Sequence, residues 1–435
     1  VGSVPFRSSE NSTKTSCWHS YWSWLLQMTK GLVACCLSLC IVTEALRDQE
    51  QQRHASAFHS FMQQHGRNYE RNSDEYLERF ALFSQSLAEV EAHNRKSNRL
   101  WTAGINHLSD RSKSELAALR GWRGGAPRNV NNALTISKSS FLENPVPYQK
   151  NFNWTGLQSL SEVRDQRACG SCWAVATSTV LNAHSEIHQG RKKRTFSEQE
   201  LVSCVQNPHD CGGEGGCRGA TVELALKFVA NHGLATEEEK PYEGVDAACT
   251  RLESNLPGQS MLSIQGVHDE DENMDDMSQP AIHQVHPSKP GAQVGLKAWE
   301  RLPANDYNAL MGALIERGPV AVSAAADGWN SYMSGIFTSG SKTVDHAVTL
   351  VGYGQDMSER KYWLIQNSWT DSWGENGKLR LHRQDTDSKN CGVDTKPELG
   401  TGCKGGPKKV VVCGDCGVLY DSVVPHFYHA AEQQQ

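Results

Sequence analysis

Cys172 is the residue in this chain best placed to act as a nucleophile. It lies in Gln166-Arg167-Ala168-Cys169-Gly170-Ser171-Cys172-Trp173, and the run Ala174 to Leu181 that follows has the composition of a helix. A cysteine at a helix start faces unpaired backbone N–H groups and the positive end of the macrodipole, which favour the thiolate that attacks carbonyl carbon. Such chemistry also needs a base and a group to orient it. Two distant blocks supply candidates: Asp345-His346-Ala347-Val348, and Gln366-Asn367-Ser368-Trp369. By itself, Cys169-Gly170-Ser171-Cys172 would equally suit a dithiol redox pair. Redox motifs of that type carry Trp before the first cysteine, whereas here Trp173 follows the second.

The surrounding sequence must position these blocks. Apolar residues recur at three and four positions between Ala55 and Leu119, among them Phe58, Phe61, Phe80, Phe83 and Val90, which predicts helix throughout. A Gly- and Asn-rich linker is expected over 121–144. Beyond it come short strands, glycine-rich loops and cysteines. A crowded stretch at about 262–297, with acidic residues from Asp269 to Asp276 and then Pro280, Pro287 and Pro290, has no period and is expected to be an inserted surface loop or retained intron sequence. Its lack of ordered ligand spacing argues against an EF-hand.

A net charge of −6 from 43 basic and 49 acidic residues gives no electrostatic reason to expect a nucleic-acid partner. The longest apolar run, Gly31 to Val42, is too short to span a bilayer. With Lys30 ahead of it, it fits a secretory signal over 28–46, residues 1–27 being expected leader sequence. Fourteen cysteines suit the oxidising compartment that such a signal implies.

Together these three blocks make the chain resemble the papain-like cysteine proteases, nearest to cathepsin L-type zymogens with an inhibitory propeptide. The separation of Cys172 and His346 exceeds the family's usual span of about 130–150 residues, an excess that the acidic insertion would account for. The resemblance implies an α+β, papain-like two-domain fold, with a helical left half and a β-barrel-like right half, preceded by a helical propeptide domain. It implies a peptidase domain over 145–425 and a cysteine-type endopeptidase acting through a thiolate–imidazolium pair and an acyl-enzyme, without metal or cofactor. In those terms Cys172 is the nucleophile, His346 the general base and acid, Asn367 the orienting side chain, and Gln166 an oxyanion-hole donor with the Cys172 N–H. Trp369 would shield the Asn367–His346 hydrogen bond. Gly219 and Ala220 would pair with extended substrate at P2, Ala220 replacing the family's glycine. Ser323 and Asp345 would line the S2 pocket, with Asp421 or Ser422 near its floor.

The resemblance also pairs Cys169 with Cys217 and Cys204 with Cys249. Cys211, Cys391, Cys403, Cys413 and Cys416 remain, an odd number; local disulfides or a four-cysteine zinc site made of the last four are the alternatives.

Glu75, Arg79, Phe83, Ser86, Val90 and Asn94 fall at the spacing of the helix of cathepsin L-type propeptides, and Gly104 to Asp110 is similar to that propeptide's second motif. The implied propeptide domain, 54–120, would thread its tail through the cleft against the substrate direction. The expected partners are protein and peptide substrates and the chain's own propeptide, in a monomer routed to a lysosome or vacuole or secreted. A catalytically inactive homologue acting as a binding or inhibitor-like protein is the alternative reading.

Overall fold

The computed structural model describes residues 47–121, 149–190, 193–250 and 281–429. The expected signal segment, nearly all of the linker and the acidic run Asp269 to Asp276 lie outside the described residues. Two compact units divide after Ser84. The first contains a helix over 47–64, α1, and the opening turns of α2 (Asp74–Asn94). Phe58 and Phe83 are buried with ring centroids 5.3 Å apart, and Phe61 sits 4.9 Å from Phe83. The aromatic stripe thus becomes one packed cluster of tilted rings.

The strands of the second unit are β1 (Trp101–Ala103), β2 (Phe152–Asn153), β3 (Ala281–Gln284), β4 (Leu296–Arg301), β5 (Val320–Ala324), β6 (Tyr332–Phe337), β7 (His346–Gln355), β8 (Lys361–Gln366), β9 (Lys378–His382), β10 (Cys391–Asp394), β11 (Val410–Cys413) and β12 (Ser422–Phe427). Its further helices are α3 (Lys113–Ala118), α4 (Cys172–His188), α5 (Glu198–Cys204), α6 (Val222–His232), α7 (Pro290–Gln293) and α8 (Tyr307–Glu316). The main sheet runs β1-β6-β9-β8-β7-β5-β12-β4-β3, with β2 also on β7, while β10 and β11 form a separate hairpin.

Two cores lie beside this sheet. One packs α4, α5 and α6 through Trp173, Leu181, Leu201 and Leu226. The other packs α8 and the strands through Leu310, Trp329, Tyr332, Trp363 and Trp373. Helix α4 is buried on nearly every side, and its polar side chains find internal partners, Thr177 Oγ1 donating to Trp173 O and Ser178 Oγ to Phe196 O. Side-chain N-caps set the starts of the shorter helices: Ser197 for α5, Thr221 for α6 and Asp306 for α8.

Helix does not continue from Ala55 to Leu119. It breaks at Gly66, whose φ is +61°, and again after Asn94. The Asn94 amide donates to Ala103 O (2.8 Å) and accepts from Ala103 N (3.0 Å), pinning β1, which pairs antiparallel with β6. Nor is the stretch 262–297 all loop. Residues 281–297 hold β3, α7 and the start of β4, with His283 stacked on Trp299 at 3.9 Å. Pro290, one of the residues that suggested a loop, stands in the first turn of α7, where its missing N–H leaves no bond unmade.

Candidate active site

Three element ends converge. Cys172 is the first residue of α4, which packs on β7; His346 is the first residue of β7; Asn367 directly follows β8. The antiparallel register Thr349↔Gln366 brings the last two together, and His346 Nε2 lies 2.8 Å from Asn367 Oδ1. That contact commits the Nε2 proton to Asn367 and leaves Nδ1, which is buried with no hydrogen-bond partner, as the free nitrogen. Burial pushes the Cys172 thiol up to about 11, against backbone N–H groups of Ala347 and Trp173 that stabilise its thiolate. Burial also pulls His346 down to about 4, opposed by its bond to Asn367. Covered, both groups therefore have their charged forms disfavoured by burial.

Trp369 stacks on the His346 ring, with centroids 4.9 Å apart and planes 27° apart. Trp329 meets the same ring edge-on at 6.0 Å, and Trp373 braces Trp369 at 5.2 Å. Trp329 was not singled out in the sequence, because Ala326-Asp327-Gly328-Trp329 carries no motif that sets it apart from other core aromatics.

Gln166 is fixed from both ends of its amide. Ser368 Oγ donates to its Oε1 at 2.5 Å, while its Nε2 donates to Cys169 O at 2.8 Å and to Leu119 O at 2.6 Å. Tyr242 OH donates to the Gln166 carbonyl at 2.9 Å and lies 2.5 Å from Ser171 Oγ. Ser368 and Tyr242 are further residues that sequence reasoning missed; the first lies inside a quoted motif, the second in none.

The segment Ala118 to Gly121 lies over these groups. A Cβ on Gly170 would fall 2.6 Å from Gly121 Cα and 2.8 Å from Ala118 O, and one on Gly121 would fall 3.2 Å from Gly219 Cα. Gly219 has φ +92°, so a side chain there would be strained as well as crowded. Between these contacts Arg120 Nε pairs with Asp345 Oδ2 at 2.8 Å.

The chain matches the family described as papain family cysteine protease over residues 148–401, and the cathepsin propeptide inhibitor domain over residues 58–116. It belongs to the papain family of cysteine proteases. Among papain-family relatives it is 28% identical to fruit bromelain of Ananas comosus over 87% of this chain and 97% of that protein. It is 30% identical to chymopapain of Carica papaya over 77% of this chain and 83% of that protein. The solved structure of digestive procathepsin L2 from Tenebrio molitor larval midgut superposes with a TM-score of 0.62 at 25% identity, covering 86% of this chain and all of that one. The papain-like α+β fold with a helical inhibitory propeptide is therefore the architecture of this chain.

Ser323 and Asp421 meet directly, Ser323 Oγ donating to Asp421 Oδ2 at 2.6 Å. Arg301 pairs with the other Asp421 oxygen at 3.3 Å and with Glu223 at 3.4 Å. Asp421 therefore faces a buried cation rather than open space, and burial raises Glu223 to about 7. Asp345 accepts from Ala326 N at 3.0 Å, and burial raises its carboxyl to about 6 against the attraction of Arg120.

Disulfides join Cys169 to Cys217, Cys204 to Cys249, Cys211 to Cys403 and Cys391 to Cys413. Three of the four thiols considered for a zinc site are thereby bonded to other cysteines. Cys172 and Cys416 are free. No helix among the described residues is long and apolar enough to cross a membrane.

Proposed function

We propose that this chain is the autoinhibited zymogen of a cysteine peptidase in which Cys172, His346, Asn367 and Gln166 carry the reaction. The observation that supports this most strongly is the 2.8 Å contact of His346 with Asn367, which leaves Nδ1 free while the Cys172 thiol, at the start of α4, lies against the backbone of Ala347, the residue after His346.

When the covering segment leaves, water returns and the burial that disfavours both charged forms is relieved. The Cys172 proton passes to His346 Nδ1, giving a thiolate–imidazolium pair favoured by the helix start. The thiolate attacks the substrate carbonyl carbon. Its oxygen becomes an oxyanion held by Gln166 Nε2 and the Cys172 N–H. His346 returns its proton to the departing amine as the C–N bond breaks, leaving a thioester on Cys172. His346 then takes a proton from water, whose oxygen attacks the thioester and releases the acid. Asn367 keeps the imidazole in register, and Trp369 keeps water from that hydrogen bond. Gly219 and Ala220 receive the substrate backbone on the amino side of the bond cleaved, while Ser323 and Asp345 flank the same cleft.

Inhibition follows from occupancy. The Leu119 carbonyl takes the Gln166 amide proton that the oxyanion would need, and Arg120 takes Asp345. The substrates are proteins and peptides. The four disulfides among the described residues suit a secreted, lysosomal or vacuolar setting. The test is Cys172→Ser, processed at acid pH beside the parent. Loss of all measurable peptide hydrolysis with unchanged thermal unfolding is expected, and activity within about tenfold of the parent would remove Cys172 from the role.

A further inference from the structure

Cys211 and Cys403 lie far apart in sequence, and their bridge ties two surface segments across the cleft. On the helical half, Gly212 N donates to Gly402 O at 2.9 Å and Lys404 N donates to His209 O at 2.8 Å. Lys404 Nζ also pairs with Asp210 at 3.0 Å. On the sheet half, Gly400 presses on the chain just before His346: a Cβ there would lie 2.2 Å from Val344 O and 2.8 Å from Asp345 Cα. Val344 N is held by Asp394 Oδ2 at 3.0 Å, at the root of the same excursion. Residues 397–404 are themselves compact, with Thr401 N and Gly402 N both donating to Pro397 O.

This segment thus touches both walls of the cleft, and it does so at one end. A Cβ on Gly212 would meet Gly400 O at 2.7 Å and Ala220 O at 2.9 Å, so Gly212 packs tightly between this segment and the residues that receive the substrate backbone. The covering segment marks the remaining length. Its Leu119 carbonyl lies on Gln166, and a Cβ on Gly121 would already be 3.8 Å from Gly212 O.

We infer that residues 397–404, fastened by the Cys211–Cys403 bridge, close the amino-side end of the cleft, so that this enzyme trims peptides from their amino ends. The inference rests on the peptidase reading above and narrows it from the endopeptidase expected from sequence. The covering segment passes from Gln166, at Leu119, to Gly212, at Gly121, within two residues, so about two residues fit ahead of the bond cleaved. The substrate class is peptides with a free, flexible amino terminus, and interior bonds of long chains are excluded by the barrier rather than by charge.

The experiment uses the full chain after acid processing, with two fluorogenic substrates that share a dipeptide before the cleaved bond. One begins at that dipeptide and the other carries three more residues ahead of it. Turnover of the short substrate that is abolished by covalent labelling of Cys172 establishes the peptidase independently, so the ratio of the two rates tests the barrier alone. The short substrate should be faster by about a hundredfold, because a chain that cannot lie along the cleft is not held in reacting geometry. Replacing 397–404 by two glycines in a Cys211→Ser background should bring the ratio close to one with the short substrate unaffected. Comparable rates on both substrates in the parent would overturn the inference, as would an unchanged ratio in the variant. A product map from a long unstructured peptide needs no variant: successive losses from the amino end support the inference, and internal fragments contradict it.

Discussion

Arg120 and Asp345 form a buried ion pair, Nε to Oδ2 at 2.8 Å, that binds the residue after Leu119 to the residue before His346. One side chain of the covering segment is thereby locked beside the imidazole while the neighbouring carbonyl occupies Gln166. Charge pairing and oxyanion-donor capture therefore act on adjacent residues.

The pair has a defined pH sign. Burial raises Asp345 to about 6 and Arg120 opposes that rise, so the pair's attraction is present above about 6 and fades as the carboxyl takes up a proton below it. Burial acts in the opposite sense, favouring the protonated carboxyl, so only the difference between parent and Arg120→Gln isolates the pair. At about pH 7 loss of this ion pair, about 2 kcal/mol, should weaken self-inhibition about 30-fold. At about pH 4.5 the two proteins should differ little. Activation rates of both across that range check it, and an equal effect at both ends would show that Arg120 acts through packing alone.

Gln166→Ala removes the amide that the Leu119 carbonyl occupies. Turnover of the processed enzyme should fall about 10²- to 10³-fold, as for removal of other oxyanion donors, with KM nearly unchanged. Steady-state kinetics decide this, and a rise in KM at constant kcat would mean that Gln166 serves ground-state binding instead.

Asn367→Ala leaves His346 without its Nε2 partner while Trp369 and Trp329 still enclose the ring. A loss of about 10²-fold in kcat is expected, milder than loss of the thiol, because the imidazole is misoriented rather than absent. Asn367→Asp should displace the pH profile, since a carboxylate favours imidazolium. A profile identical to that of the parent would remove Asn367 from contact with the titrating imidazole.

The helix start at Cys172 was legible from the run that follows it, and Gln366-Asn367-Ser368-Trp369 stood out as a local motif, which the fold sets at the end of β8. Long-range closure was not. Nothing local connects Cys211 with Cys403, since cysteine spacing leaves many pairings open. Arg120 looked like any surface charge until the fold placed it against Asp345. In 281–297, Pro290 and the acidic neighbourhood suggested a loop, whereas pairing of β3 with β4 overrides that local preference.

That edge strand makes a stability prediction. Deleting 281–294 removes β3 and α7, with the His283–Trp299 stack, and should lower the melting temperature by about 10 °C. Calorimetry of the deletion beside the parent checks this, and an unchanged transition would mean that β3 and α7 contribute little to the sheet.

The most direct measurement is covalent labelling by a peptidyl epoxide, located by mass spectrometry, on the unprocessed chain at neutral pH and on the acid-processed chain. The account predicts a single adduct on the Cys172 sulfur after processing and almost none before, with buried Cys416 untouched in both. Labelling of the unprocessed chain at the same rate would contradict the cover formed by Ala118 to Gly121, and a processed chain that hydrolyses peptides without labelling at Cys172 would contradict the assignment of the nucleophile.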